Sequence, residues 1–151
     1  MRTLIAASTI PVAIFANGAR VAGTGVADLS LDAMAAIDHV FLTHAHLDHV
    51  TCVPFLLDSV ASRRVRPLTV HAQEATLATL RAHLFNNALW PDFTAIPSPE
   101  KPYLRFELLA PGESVALGPY HASFRPSLGL PYSLVCVALG ATAVLFCSPF
   151  G

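Results

Sequence analysis

The sequence predicts an α/β layered fold built on a mixed sheet, and three observations carry that expectation. The segments follow the order strands, then strand–helix–strand–helix, then strands again. Two short apolar runs, 39–43 and 67–71, suit strands buried on both faces. Between and after them lie segments whose apolar residues recur at helical spacing.

In chain order, residues 3–22 read as two short strands turning near Asn17-Gly18, a strong hairpin dipeptide. Gly23-Thr24-Gly25 is a tight loop, and 29–36 a short helix with Ser30 as N-cap. The strand 39–43 runs directly into His44-Ala45-His46-Leu47-Asp48-His49. Beyond it, 50–64 carries Val53, Leu56, Leu57 and Val60 at helical spacing, with Pro54 tolerable only in the first turn. A strand over 67–71 precedes a helix over 74–84 that has Leu77, Leu80 and Leu84 on one face. Residues 85–102 read as a loop, and 103–109, 114–117, 120–124, 133–139 and 142–146 as successive strands. Pro111-Gly112, Gly118-Pro119 and Gly140 punctuate those strands. No repeat or low-complexity tract interrupts 1–151, which reads as a single domain.

Composition narrows the function classes. Charged residues are 13% of the chain, about half the usual share, so little polar material is available to cover the outside. The net charge is −1, and the only basic run is Arg63-Arg64-Val65-Arg66, read as a solvated helix end or loop. Nucleic-acid polymers, which need a basic face, are therefore not expected partners. No apolar run reaches the roughly 18 residues of a membrane span. Cys52, Cys136 and Cys147 are too few and too scattered for a disulfide framework and fit reduced thiols in the cytoplasm. The segment Met1–Ala19 also resembles a weak secretory signal, which would place the chain in the periplasm or outside the cell. The strand reading of that segment is preferred.

The chemistry lies in the histidine cluster. On a helix, positions 44 and 46 would point about 200° apart. At a strand end running into a loop, both imidazoles can converge on one ion, and Asp48 and His49 can address that ion or a neighbour. Neutral imidazole and carboxylate suit zinc or a similar divalent ion. HxHxDH after an apolar strand is a specific pattern, in which both residue types and context agree.

With these residues in view, FLTHAHLDH resembles the signature of the metallo-β-lactamase superfamily. A wider set of segments is similar to the class II 3′,5′-cyclic-nucleotide phosphodiesterases within it: AGTGVADLS at 22–30, IDHVFLTHAHLDHV at 37–50, LFNNALWPDFTAIP at 84–97 and LGLPYS at 128–133. The resemblance implies an αββα layered fold, of which these residues supply largely one half plus the strands that follow. It implies metal ligands at His44, His46, Asp48 and His49, and a substrate mouth near Asn86, Asn87 and Trp90. The sequence departs from the family pattern where Leu128 and Pro149 replace expected ligands and where Val21 replaces a common aspartate. A last histidine of the pattern is not among the 151 residues. One ion is accordingly expected rather than two.

The implied function is metal-dependent hydrolysis of a phosphodiester of the cyclic-nucleotide type, a small-molecule substrate, with metal-bound hydroxide attacking phosphorus and Asp48 as ligand or base. The alternatives are an ester or lactone hydrolase of the same fold, such as one acting on acyl-homoserine lactones, or a degenerate non-catalytic metal-binding or interaction protein. His71 is a candidate pocket residue beside the metal, and Cys136 or Cys147 a candidate thiolate. Low charge and the strands near the end of the sequence lead to an expected homo-oligomer through Leu130, Val135, Val137, Val144 and Phe146.

Overall fold

The computed structural model describes residues 12–14, 30–42, 44–117, 120–127, 130–138 and 141–145, with side chains for 30–42, 44–47, 50–116 and Ser123. The Asn17-Gly18 hairpin, the 23–25 loop and positions Val21, Leu128, Phe146, Cys147 and Pro149 lie outside the described residues, as do the side chains of the expected self-association surface.

The described elements are, in chain order, β1 (Val12–Ile14), α1 (Leu31–Ala35), β2 (His39–Leu42), α2 (Leu47–Val50), α3 (Cys52–Val60), β3 (Leu68–Ala72) and α4 (Glu74–His83). They continue with β4 (Pro97–Ser98), β5 (Lys101–Pro102), β6 (Leu104–Leu108), β7 (Ser114–Leu117), β8 (Tyr120–Ser127), β9 (Leu130–Ala138) and β10 (Ala141–Leu145). They form two four-stranded sheets and the small pair β4-β5, where segment order alone suggested one mixed sheet and the family resemblance an αββα layering. β1-β2-β3-β6 is wholly parallel and β10-β9-β8-β7 wholly antiparallel. Connection length explains the division. β2, β3 and β6 are separated by helical crossovers, which parallel pairing requires, whereas β7 to β10 follow one another through short turns. The boundary is the turn Ala110–Glu113, closed by a 3.0 Å bond from the Glu113 amide to the Ala110 carbonyl. Pro111 fits its second position, and Gly112 at φ 88° supplies the positive φ of the third. β8 and β9 are longer than the sequence suggested, because Arg125↔Ser133 and Ser127↔Leu130 continue the ladder past an irregularity.

The helices form as their residues direct. The Ser30 side chain accepts a hydrogen bond from the Ala33 amide at 3.2 Å and caps α1. Pro54 is the third residue of α3, where a missing N–H costs little, and Val53, Leu56, Leu57 and Val60 are fully buried. α4 buries Thr76, Leu77 and Leu80, with Leu84 half-buried at its end. These side chains pack on one face of the parallel sheet, formed by Val40, Leu42, Leu68, Val70, Ala72 and Leu104. The opposite face carries His39 and Phe41, Thr69 and His71, Arg105 and Glu107, two residues from each strand.

One charged residue overturns the expectation for the basic run. Arg63 and Arg66 are exposed, but the side chain of Arg64 is only 1% exposed. Its guanidinium donates to the Ala35 carbonyl at 2.8 Å and to Asp38 Oδ1 at 3.0 Å, and its Nε to the Arg66 carbonyl at 3.2 Å. A buried charge persists only when paired and hydrogen-bonded in this way.

Candidate metal centre

His44 follows β2 after one intervening residue, at the C-terminal end of the parallel strands. The chain stays irregular through His46, whose extended backbone (φ −67°, ψ 145°) forms the N-cap of α2. That break in regular structure brings alternate residues together: the rings of His44 and His46 lie 4.6 Å apart between centroids and meet edge-to-face at 89°. His44 is half-buried and His46 exposed. Asp48 and His49 occupy the single turn of α2, a helix where the sequence suggested only a turn. The side chains of Asp48 and His49 lie outside the described ones. Among the described residues, no group of three or more His, Cys, Asp and Glu gathers as an ion would need. The donor chemistry nevertheless fits a divalent ion, because two imidazoles meet at one point and a carboxylate and a third imidazole follow within three residues.

The loop after α4 is tightly organised. Asn86 donates to the Ala82 carbonyl at 2.8 Å and accepts from the Ala88 and Leu89 amides. Asn87, at φ 64°, accepts from the Asp92 amide at 2.9 Å, and its own amide donates to the Trp90 carbonyl. The asparagines thus shape the loop that presents Trp90. The Trp90 indole is half-buried, donates to Asp58 Oδ2 at 3.1 Å and meets the Phe55 ring at 5.2 Å. Both contacts are with α3, the helix that follows the histidine loop.

His71 is buried to 1% exposure, and its contacts lie on the sheet face, with His39 and Phe41 of β2 and Glu107 of β6. Its Nε2 lies 3.0 Å from His39 Nδ1, its ring stacks on Phe41 at 4.5 Å, and its Nδ1 lies 3.6 Å from Glu107 Oε2. A proton on His39 Nδ1 and one on His71 Nδ1 suit both nitrogen contacts. Burial, reinforced by neighbouring His39, pushes His71 down to about 4, and burial also lowers His39. Glu107 is too distant for a hydrogen bond and, at 57% side-chain exposure, too solvated to offset the burial. Sequence reasoning missed this His39–His71–Glu107 line. The one signal in the sequence was that His39 and His71 each fall in an apolar run read as a strand. Cys52 is buried, and burial pushes its thiol up to about 12, so it supplies no thiolate.

Comparison with known proteins follows the same residues. Residues 25–124 match the family model for cAMP phosphodiesterases class-II. A probable 3′,5′-cyclic-nucleotide phosphodiesterase of Yersinia pestis is 32% identical over 84 residues, covering 55% of this chain and 23% of that protein. Unliganded yeast PDE1 superposes with a TM-score of 0.59 at 19% identity, over 80% of this chain and 37% of its own. The metallo-β-lactamase fold protein YhfI from Bacillus subtilis gives a TM-score of 0.59 at 16% identity, over 88% and 48%. The chain therefore spans about a quarter of the curated relative and less than half of either solved structure. The superpositions identify its fold as that of the metallo-β-lactamases.

Proposed function

The chain belongs to the class-II cAMP phosphodiesterase family, and from that membership we propose that it hydrolyses a cyclic-nucleotide phosphodiester with the loop of His44, His46, Asp48 and His49 as its metal-dependent centre. One observation carries the reading. The family match contains the whole loop, and within it His44 and His46 stand ring to ring at the end of a parallel strand.

His44 and His46, with Asp48 or His49 or both, would hold the ion, for which zinc suits the imidazole and carboxylate donors. An ion bound there acidifies a water and offsets charge on the phosphoryl oxygens. Asp48 works as a ligand or accepts the proton of the attacking water. Hydrolysis joins the water oxygen to phosphorus, breaks one phosphorus–oxygen bond to the ribose and delivers a proton to the leaving oxygen, giving a phosphomonoester. Trp90, anchored to α3 through Phe55 and Asp58, offers an aromatic surface for a base. Asn86 and Asn87 hold its loop and lie with it at the proposed substrate mouth. We place the chain in the cytoplasm as one domain that self-associates, the last to be checked by light scattering. Among the described residues no helix is long and apolar enough to cross a membrane.

Elemental analysis of the purified chain, together with turnover of 3′,5′-cyclic AMP, bis-p-nitrophenyl phosphate and a lactone, tests this reading. Bound divalent metal and phosphodiester turnover that a chelator removes and zinc restores are expected. Turnover of the lactone alone would move the chain to the ester-hydrolase alternative. No turnover from a folded, metal-supplemented chain would make it a non-catalytic member.

A further inference from the structure

The far end of the parallel sheet holds a polar concavity. Asp38, His39, Arg66, Pro67, Thr69 and Arg105 line a notch of about 300 Å³. It lies at the N-terminal ends of β2, β3 and β6, away from the strand end that carries His44. His39, Thr69 and Arg105 form one cross-strand row on one face, because β2, β3 and β6 pair His39↔Thr69↔Arg105. Neighbouring strands lie about 4.8 Å apart, so the three side chains make a continuous floor.

The wall is built rigidly. Buried Arg64 ties residues 64–67 to Ala35 and Asp38, and the Thr69 amide donates to the Asp38 carbonyl at 2.9 Å. Charge decides what the notch takes. Its carboxylate, Asp38, is 3.0 Å from Arg64 and 3.7 Å from Arg66. Arg105 has no ion pair among the described residues. Two guanidiniums, Arg66 and Arg105, thus line the notch with one carboxylate that Arg64 already pairs, while Glu107, farther along β6, is directed to His71. A tetrahedral oxyanion can accept from guanidiniums on two sides and from the Thr69 hydroxyl at once, whereas a carboxylate fills a single guanidinium fork.

We propose that this notch binds a small phosphate-type oxyanion, either free phosphate or the phosphate group of a monoester, through Arg66, Arg105 and Thr69. The inference stands apart from the phosphodiesterase reading, because none of these residues belongs to the histidine loop.

The test is an amide NMR titration of the full chain with inorganic phosphate, and in parallel with 5′-AMP and with sodium acetate at matched ionic strength. Saturable shifts at Thr69 and Arg105, at millimolar phosphate or below, are expected. Shifts from phosphate alone assign the free ion, and shifts from both phosphate and 5′-AMP assign the monoester group as well. Arg105→Gln is expected to weaken binding by about tenfold or more, and Arg105→Lys by less, since the charge remains. The double variant His44→Ala, His46→Ala leaves the notch titration unchanged. Shifts confined to residues 44–50, equal shifts with acetate, or undiminished binding in a folded Arg105→Gln chain would each overturn the proposal.

Discussion

The two ends of β2 both carry histidine, and the chain uses them oppositely. At the beginning, His39 is held against His71 on the sheet face, beside the buried Arg64–Asp38 pair. Past the end, His44 and His46 sit in an irregular loop, half-buried and exposed, with their rings in contact. Burial against a fixed partner keeps an imidazole neutral, which makes it structural. A loop at a strand end leaves two imidazoles close together without a strand or helix period to separate them, which suits ligation. The difference lies in the backbone around the histidines and not in the residue type.

The largest expected effect breaks the comparison at its catalytic end. His44→Ala with His46→Ala removes two proposed ligands, neither of which belongs to the buried hydrophobic cluster. Metal-dependent phosphodiester turnover should fall on the order of 10⁴-fold, about 5 kcal/mol of barrier, with a nearly unchanged unfolding midpoint. Retained turnover would show that the chemistry lies elsewhere. The structural end should behave in reverse. Arg64→Met leaves Asp38 only its longer pair with exposed Arg66 and removes the donor to the Ala35 carbonyl, so it should destabilise the fold by about 2 kcal/mol in urea unfolding. A loss below about 1 kcal/mol would mean that water replaces those contacts readily.

Much of this arrangement was legible in the residues. The helix spacing of Val53, Leu56, Leu57 and Val60 marked a helix face that the fold buries completely. Ser30 announced the start of α1, and the apolar runs located β2 and β3 within a residue or two. Which strands join which sheet was not legible from their patterns, because strand patterns do not state their partners, and β6 joins β3 across a helix and a long loop. The His39–His71 contact was hidden for the same reason, since it depends on the register between strands 32 positions apart in sequence. Arg64 was masked by its company: flanked by exposed Arg63, Val65 and Arg66, it read as one more solvated charge.

Proton uptake sharpens the comparison further. His71 protonates near pH 4 in the folded chain and near its ordinary 6.5 when unfolded. Between those values the unfolded chain binds more protons, so stability falls as pH drops through that window and is fully present above about 6.5. The loss reaches at most about 3 kcal/mol at pH 4, shared with His39, whose own value burial also lowers. Urea unfolding between pH 7.5 and 4.5 measures it, and His71→Phe should flatten the dependence. An equally steep dependence in the folded variant would assign the proton uptake to other groups.

The smallest expected effect concerns how the structural end is assembled. α1 is only five residues long, too short to persist without its cap and its packing. Ser30 supplies the cap to the Ala33 amide, and Met34 supplies the buried contact. The last residue of α1, Ala35, offers the carbonyl that receives Arg64, so the cap reaches the Asp38 pair through one short helix. Ser30→Ala should therefore cost about 1 kcal/mol of stability, and part of that cost should vanish in an Arg64→Met background, where α1 no longer anchors the arginine. A double-mutant cycle reads that coupling directly. Strict additivity of the two changes would mean that α1 and the arginine are held independently, whereas a coupling of about 0.5 kcal/mol or more would make the Ser30 cap part of the scaffold that fixes this end of β2.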